Sequence, residues 1–136
     1  MGSSSNRDGE QVTRVLVVDD DKSIREVISF ALSDEGYQVE EANNGHAAFE
    51  SIGRLHPHII LVDMRMPGMD GWEFVRGYRE RYGRRAQIIV LTAAQDAAPR
   101  MAAIDADGYV AKPFDLDVLI AQVAKSATRM SGANDL

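Results

Sequence analysis

Five short strand-like runs alternate with stretches of helical periodicity, and this alternation constrains the fold more than any other feature of the chain. The runs are RVLVV at residues 14–18, YQVEEA at 37–42, HIILVD at 58–63, AQIIVLTA at 86–93 and GYVAK at 108–112. RVLVV and IILV are almost unbroken apolar stretches, which suits strands buried on both faces. Between the runs, Ile24, Val27, Ile28, Ala31 and Leu32 fall on one helical face, and Gly36 is placed to stop that helix. Asn43, Asn44 and Gly45 read as a turn, and Ala48, Phe49 and Ile52 mark a short second helix over 46–53. Phe74, Val75, Tyr78 and Tyr82 line the inner face of a third, with Asp70 and Glu73 spaced as a capping box. Pro99 suits the first turn of a fourth helix reaching about residue 104. The last helix spans 114–130, with Leu116, Leu119, Ile120, Val123, Ala124 and Ala127 on one stripe. Strands alternating with helices imply βαβ units, a parallel sheet and helices on both faces. Right-handed crossovers then leave few topologies. One α/β domain is expected over residues 13–130, with a flexible lead at 1–12 and a disordered tail at 131–136.

Composition removes several function classes. The chain has no cysteine, so it has neither a disulfide framework nor a thiolate metal site. No apolar run approaches the roughly 20 residues of a membrane span, and the first residues hold no apolar signal segment. A net charge of −6 argues against direct nucleic-acid binding through this domain. A cytoplasmic location is the expectation.

In an open α/β sheet, ligands bind beyond the carboxyl ends of the strands. Those ends carry Asp19, Asp20 and Asp21 after the first run, Asp63 after the third, Thr92 on the fourth and Lys112 on the fifth. Asp21 suits the cap of the first helix. Carboxylates brought together repel one another and desolvate poorly unless a hard cation joins them. Mg²⁺ prefers such oxygen ligands, usually alongside waters and a phosphate oxygen. Lys112 and the Thr92 hydroxyl can meet phosphoryl oxygens, and a carboxylate can act as nucleophile to form an acyl phosphate. These residues point to phosphoryl transfer onto Asp63.

The pieces VLVVDDD, LVDMRMPGMDG, LTA and GYVAKPF, in this order, resemble the receiver domain of two-component response regulators over residues 13–128. The resemblance implies a flavodoxin-like (βα)5 three-layer sandwich with a five-stranded parallel sheet in order 2-1-3-4-5. It implies Asp63 as phosphoacceptor, with Thr92 and Lys112 completing the reactive set. It also implies Mg²⁺, with Mn²⁺ able to substitute, held by Asp19, Asp20, Asp63 and the backbone carbonyl of Arg65. Thr92 and Tyr109 become the switch pair, and the bond before Pro113 is expected to be cis. A sensor histidine kinase or histidine phosphotransfer protein is the implied donor. The face of the fourth helix, fifth strand and fifth helix is the implied contact surface, including for a homodimer. Such a domain is no turnover enzyme: it catalyses only its own phosphorylation and autodephosphorylation. Arg65 and Ala94 sit where the family varies and tunes the phosphoryl lifetime.

Other readings have less support. An aspartyl phosphatase or phosphomutase usually carries a second acid two residues after its nucleophile, where this chain has Arg65. A dinucleotide enzyme needs a glycine-rich turn where this chain has DDDKSI. The alternative in another class is a phosphorylation-independent docking or dimerisation module, but degenerate receivers of that kind lose the acid or the lysine. Met64, Met66 and Met69 read as packing, and Trp72 as part of the third helix's start. His56 and His58 flank Pro57 without a third soft ligand, and with His46 they read as loop residues rather than a zinc site. Asp117, Gln122, Lys125 and Arg129 on the last helix read either as a partner surface or as a solvated face, the second being the more common case.

Overall fold

A computed structural model describes residues 12–93 and 105–135. The expected fourth helix, the 1–11 lead and Ala94 lie outside the described residues. The described elements are β1 (Arg14–Val18), α1 (Lys22–Asp34), β2 (Gln38–Ala42), α2 (Gly45–Arg54), β3 (Ile59–Asp63), α3 (Gly71–Tyr82), β4 (Gln87–Ala93), β5 (Gly108–Lys112) and the C-terminal helix α4 (Leu116–Asp135). The five strands form one parallel sheet in the order β2-β1-β3-β4-β5. All five expected strands are present, and so is the expected strand order.

Strand alternation divides the core into two layers. Leu16, Val18, Ile60, Val62, Ile88 and Val90 pack under α2 and α3 through Ala48, Ile52, Phe74, Val75 and Tyr78. Val15, Val17, Ile59, Leu61, Ile89 and Leu91 pack under α1 and α4 through Ile28, Leu32, Leu119 and Val123. Consecutive residues thus serve opposite layers, which is why the central runs are apolar throughout. Burying each such aliphatic side chain contributes about 1.5–3 kcal/mol, so this double layer supplies the rigidity on which the loops stand.

The helix ends follow local chemistry. Asp21 caps α1 by accepting from the Ile24 N–H at 3.2 Å. Asn44, read as a turn residue, is the cap of α2 and accepts from Ala47 N at 2.8 Å. Asp70 and Glu73 form the capping box of α3, each side chain accepting from the other's backbone. Gly36 ends α1 at φ 101°, a conformation that favours glycine.

Three features depart from the sequence reading. Val27, placed on the inner stripe of α1, is 51% exposed. Ala124 is exposed on α4, whereas Ser126 is fully buried. Helix α4 also runs to Asp135, past the expected end near residue 130. The segment after 130 carries no proline, and one glycine costs a helix only about 1 kcal/mol, so nothing local stops it sooner.

Candidate functional site

The parallel register brings the acids side by side. Val18 on β1 pairs with Val62 on β3, so Asp19 and Asp63, one residue further on, leave neighbouring strands together. Ala93 on β4 pairs with Lys112, which sets the lysine across from the same end of the sheet. Thr92 is the last residue but one of β4 and is 4% exposed.

The distances define a compact charged centre. One carboxylate oxygen from each of Asp19, Asp20 and Asp63 lies within 4.8 Å of the others, and among the described residues this is the only acid or histidine group so spaced. Lys112 Nζ stands 3.2 Å from Asp63 Oδ1 and 3.8 Å from Asp19 Oδ2. Asp63 Oδ1 also accepts from the Arg65 N–H at 3.2 Å. Asp19 Oδ1 accepts from the Asp21 N–H at 2.9 Å. Its other oxygen, Oδ2, is buried and has no hydrogen-bond partner among the described residues.

Three carboxylates therefore face one ammonium. Asp19 is fully buried, and burial raises its pKa above the usual carboxylate value. The Asp21 N–H opposes that rise, the Asp63 charge adds to it, Lys112 opposes it and Asp20 adds again. A buried oxygen without a donor, in an excess of negative charge, wants a cation. The donors are all hard oxygens, which suits Mg²⁺ rather than zinc. The residues present fit the metal that the sequence resemblance implies.

Access comes from an open cleft of about 1150 Å³. Asp63, Thr92 and Lys112 form its polar end, and Ile24, Val27 and Phe114 form apolar walls. Val27 is exposed because its side of α1 borders this cleft rather than the sheet. Arg65 is exposed beside Asp63. The Lys112–Pro113 peptide is cis. Tyr109 is 45% exposed on β5 and stands outside the core.

Sequence reasoning missed one residue of the site. Arg25 on α1 donates through Nη1 to the main-chain carbonyl of Asp19 at 2.8 Å, and its Nε lies 2.9 Å from Glu41 Oε1. Sequence alone reads it as one more charge on a helix surface.

The two histidines take part in the opposite end of the sheet. His56 Nε2 and the Tyr78 hydroxyl are 2.6 Å apart. The pKa of the Tyr78 hydroxyl is pushed up to about 12, chiefly by burial, so the phenol stays protonated, and the tautomer of the ring sets which partner donates. His58 Nδ1 accepts from the Arg14 N–H at 2.9 Å. Burial and then Arg14 lower the His58 pKa below 6.5; burial, Arg85, Arg14 and His58 do the same for His56. The folded state thus favours neutral rings. That stability is present above the unfolded value of 6.5 and is lost as pH falls through the depressed folded value. The urea midpoint is expected to drop from about pH 7.5 to about pH 5. His58→Asn keeps an acceptor near the Nδ1 position and does not titrate, so it should flatten part of that slope. An unchanged slope would show that His58 carries none of it.

Residues 15–124 match the family model described as the response regulator receiver domain. The response regulator MprA of Mycobacterium leprae is 42% identical over 112 residues, covering 81% of this chain and 49% of the relative. MprA of Mycobacterium avium is 39% identical over 124 residues, covering 90% and 54%. The chain spans about half the length of these curated relatives. Among solved structures, the chemotaxis protein CheY4 of Vibrio cholerae superposes with a TM-score of 0.78 at 32% identity, covering 85% of this chain and 99% of that one. A response regulator from Chloroflexus aurantiacus gives 0.79 at 29% identity, covering 85% and 98%.

Proposed function

The chain belongs to the response regulator receiver domain family, and from that premise we propose that it takes a phosphoryl group onto Asp63 from a phosphohistidine of a sensor kinase or phosphotransfer protein. The observation that carries this reading is the Asp63 carboxylate at the mouth of the cleft, with Lys112 Nζ 3.2 Å away and two further carboxylates beside it. An Asp63 oxygen attacks phosphorus, the phosphorus–nitrogen bond breaks, and the imidazole leaves with the electron pair. Lys112 meets the charge on the phosphoryl oxygens. Asp19, Asp20, Asp63 and the Arg65 carbonyl hold Mg²⁺, with Mn²⁺ able to replace it. The metal supplies positive charge that offsets the crowded carboxylates and the incoming phosphoryl group. The Arg65 N–H keeps Asp63 oriented.

Thr92 lies at the same strand ends and donates its hydroxyl to the new phosphoryl group. Tyr109 is outside in the form described here, and it moves inward when Thr92 moves toward the phosphate. The added charge biases a two-state element, and the surface containing β5 and α4 changes with it. That surface is where an output partner or a second copy docks. The domain modifies only its own side chain and later loses the group to water. It works in the cytoplasm and makes no direct contact with nucleic acid, which its net charge of −6 disfavours. Among the described residues no helix is long and apolar enough to cross a membrane.

Acetyl phosphate with MgCl₂, followed by intact-mass measurement, tests the reading. Gain of one phosphoryl group that requires Mg²⁺ is the expected result. Borohydride reduction of the product should then convert residue 63 to homoserine, the mark of an acyl phosphate. A folded chain that gains nothing would transfer the weight to a phosphorylation-independent docking module.

A further inference from the structure

We propose that Arg25 is a positioning residue for the metal, fixing the two neighbouring acids Asp19 and Asp20 in the arrangement that Mg²⁺ needs; this rests on the acceptor reading above. The bond from Arg25 Nη1 goes to the carbonyl oxygen of Asp19 at 2.8 Å. That oxygen belongs to the peptide linking Asp19 to Asp20. A peptide unit is planar, so holding its oxygen sets the direction in which the chain enters Asp20.

The two acids differ in how much else restrains them. Asp19 is fully buried, its N–H donates to the Ala42 carbonyl at 3.1 Å, and its Oδ1 takes the Asp21 N–H. Asp20 is exposed, and its carboxylate has no hydrogen bond among the described residues. Its place relative to Asp19 is therefore set by the backbone between them, and Arg25 is the side chain that grips that backbone.

The grip is itself anchored. Arg25 rises from α1, where its own N–H donates to the Asp21 carbonyl at 3.0 Å. Its Nε reaches Glu41 on β2 at 2.9 Å, and the guanidinium side chain is only 14% exposed. Glu41 pairs in register with Val17, two residues before Asp19. One planar fork thus joins α1, the β1–α1 loop and β2. Lysine offers a single point of attachment and cannot reproduce that fork.

Mg²⁺ and Ca²⁺ distinguish a positioned site from a loosened one. Mg²⁺ demands near-ideal octahedral geometry, whereas Ca²⁺ accepts irregular oxygen shells. Both carry the same charge, so a change in local potential alters both affinities alike. The ratio of the two affinities therefore reports geometry rather than charge or global stability.

The test is an amide chemical-shift titration of the ¹⁵N-labelled chain with MgCl₂ and with CaCl₂, alongside urea denaturation. Wild type, Arg25→Lys, Arg25→Met and Glu41→Gln are compared. Both Arg25 variants should lose about tenfold in Mg²⁺ affinity, the scale seen when a residue that orients metal ligands is removed. Their Ca²⁺ affinity should fall less, so the Mg²⁺ preference shrinks. Glu41→Gln keeps the bond to the Asp19 carbonyl and should shift the ratio less than either. Arg25 variants that lose stability but keep the wild-type ratio would overturn the proposal and leave Arg25 as a structural tie. A folded wild type whose amides at 19 and 20 ignore Mg²⁺ would overturn the acceptor reading and this proposal together.

Discussion

Asp63→Asn is expected to abolish phosphoryl uptake while leaving the fold intact. The amide oxygen can still accept from the Arg65 N–H that now bonds Asp63 Oδ1, so the loop keeps its local restraint. What disappears is the anionic nucleophile, and a neutral amide does not attack phosphorus at a useful rate. Stability is governed by two opposing changes. The variant loses the ion pair with Lys112 at 3.2 Å, and it removes the Asp63 charge, which adds to the rise that burial chiefly imposes on the Asp19 pKa. Lys112 keeps a partner in Asp19 and is partly exposed, so it is not left as an isolated buried charge. The net change in unfolding free energy should stay within about 1 kcal/mol. Intact mass after acetyl phosphate and a urea titration check the two halves separately. Uptake that survived in the variant would place the acceptor elsewhere, and a large loss of stability would make Asp63 a structural acid.

How much of this was legible from the sequence depends on whether the cause is local. The central strands were legible because Val15 through Val18 and Ile59 through Val62 alternate between two core layers and so must be apolar at every position. The capping box of α3 was legible because Asp70 and Glu73 bond each other's backbone across one turn. The site was legible because a parallel sheet sends every strand's carboxyl end to one edge, so Asp19, Asp63, Thr92 and Lys112 had to converge. Val27 misled because periodicity identifies a stripe without saying where the neighbouring surface ends; its edge of α1 meets the cleft. Ser126 was invisible because burial of a hydroxyl without a partner contradicts the pattern on which the reading depends. Arg25 and the His56–Tyr78 pair were invisible for a different reason. Their partners are a loop carbonyl and a side chain 22 residues away, and folding alone brings them together.

Gly71→Ala should be the most damaging small substitution in the acceptor region, and its cause is a close approach rather than a special backbone angle. Gly71 opens α3, and its N–H donates to the Met64 carbonyl at 3.1 Å. A Cβ on Gly71 would stand 2.6 Å from Met64 Cα, 2.7 Å from Met64 Sδ and 3.0 Å from the Asp63 carbonyl oxygen. A flexible methionine tip could swing away, but two of these atoms are backbone and belong to the loop that aims Asp63. Relief requires α3 or the acceptor loop to move. Overpacking of this kind costs typically 1–3 kcal/mol, and here the upper part of that range is expected because the contact is with main chain. Phosphoryl uptake should slow as well, since the displaced atoms adjoin the nucleophile and small misplacements are costly in transfer reactions. Gly77→Ala in the same helix is the control. Its Cβ would meet only the Phe49 ring, at 3.4 Å, and replacing a mid-helix glycine by alanine gains up to about 1 kcal/mol. Urea denaturation and acetyl phosphate uptake on both variants separate the cases. If Gly71→Ala matched Gly77→Ala in stability and uptake, the acceptor loop would have to be far more yielding than its contact with α3 implies.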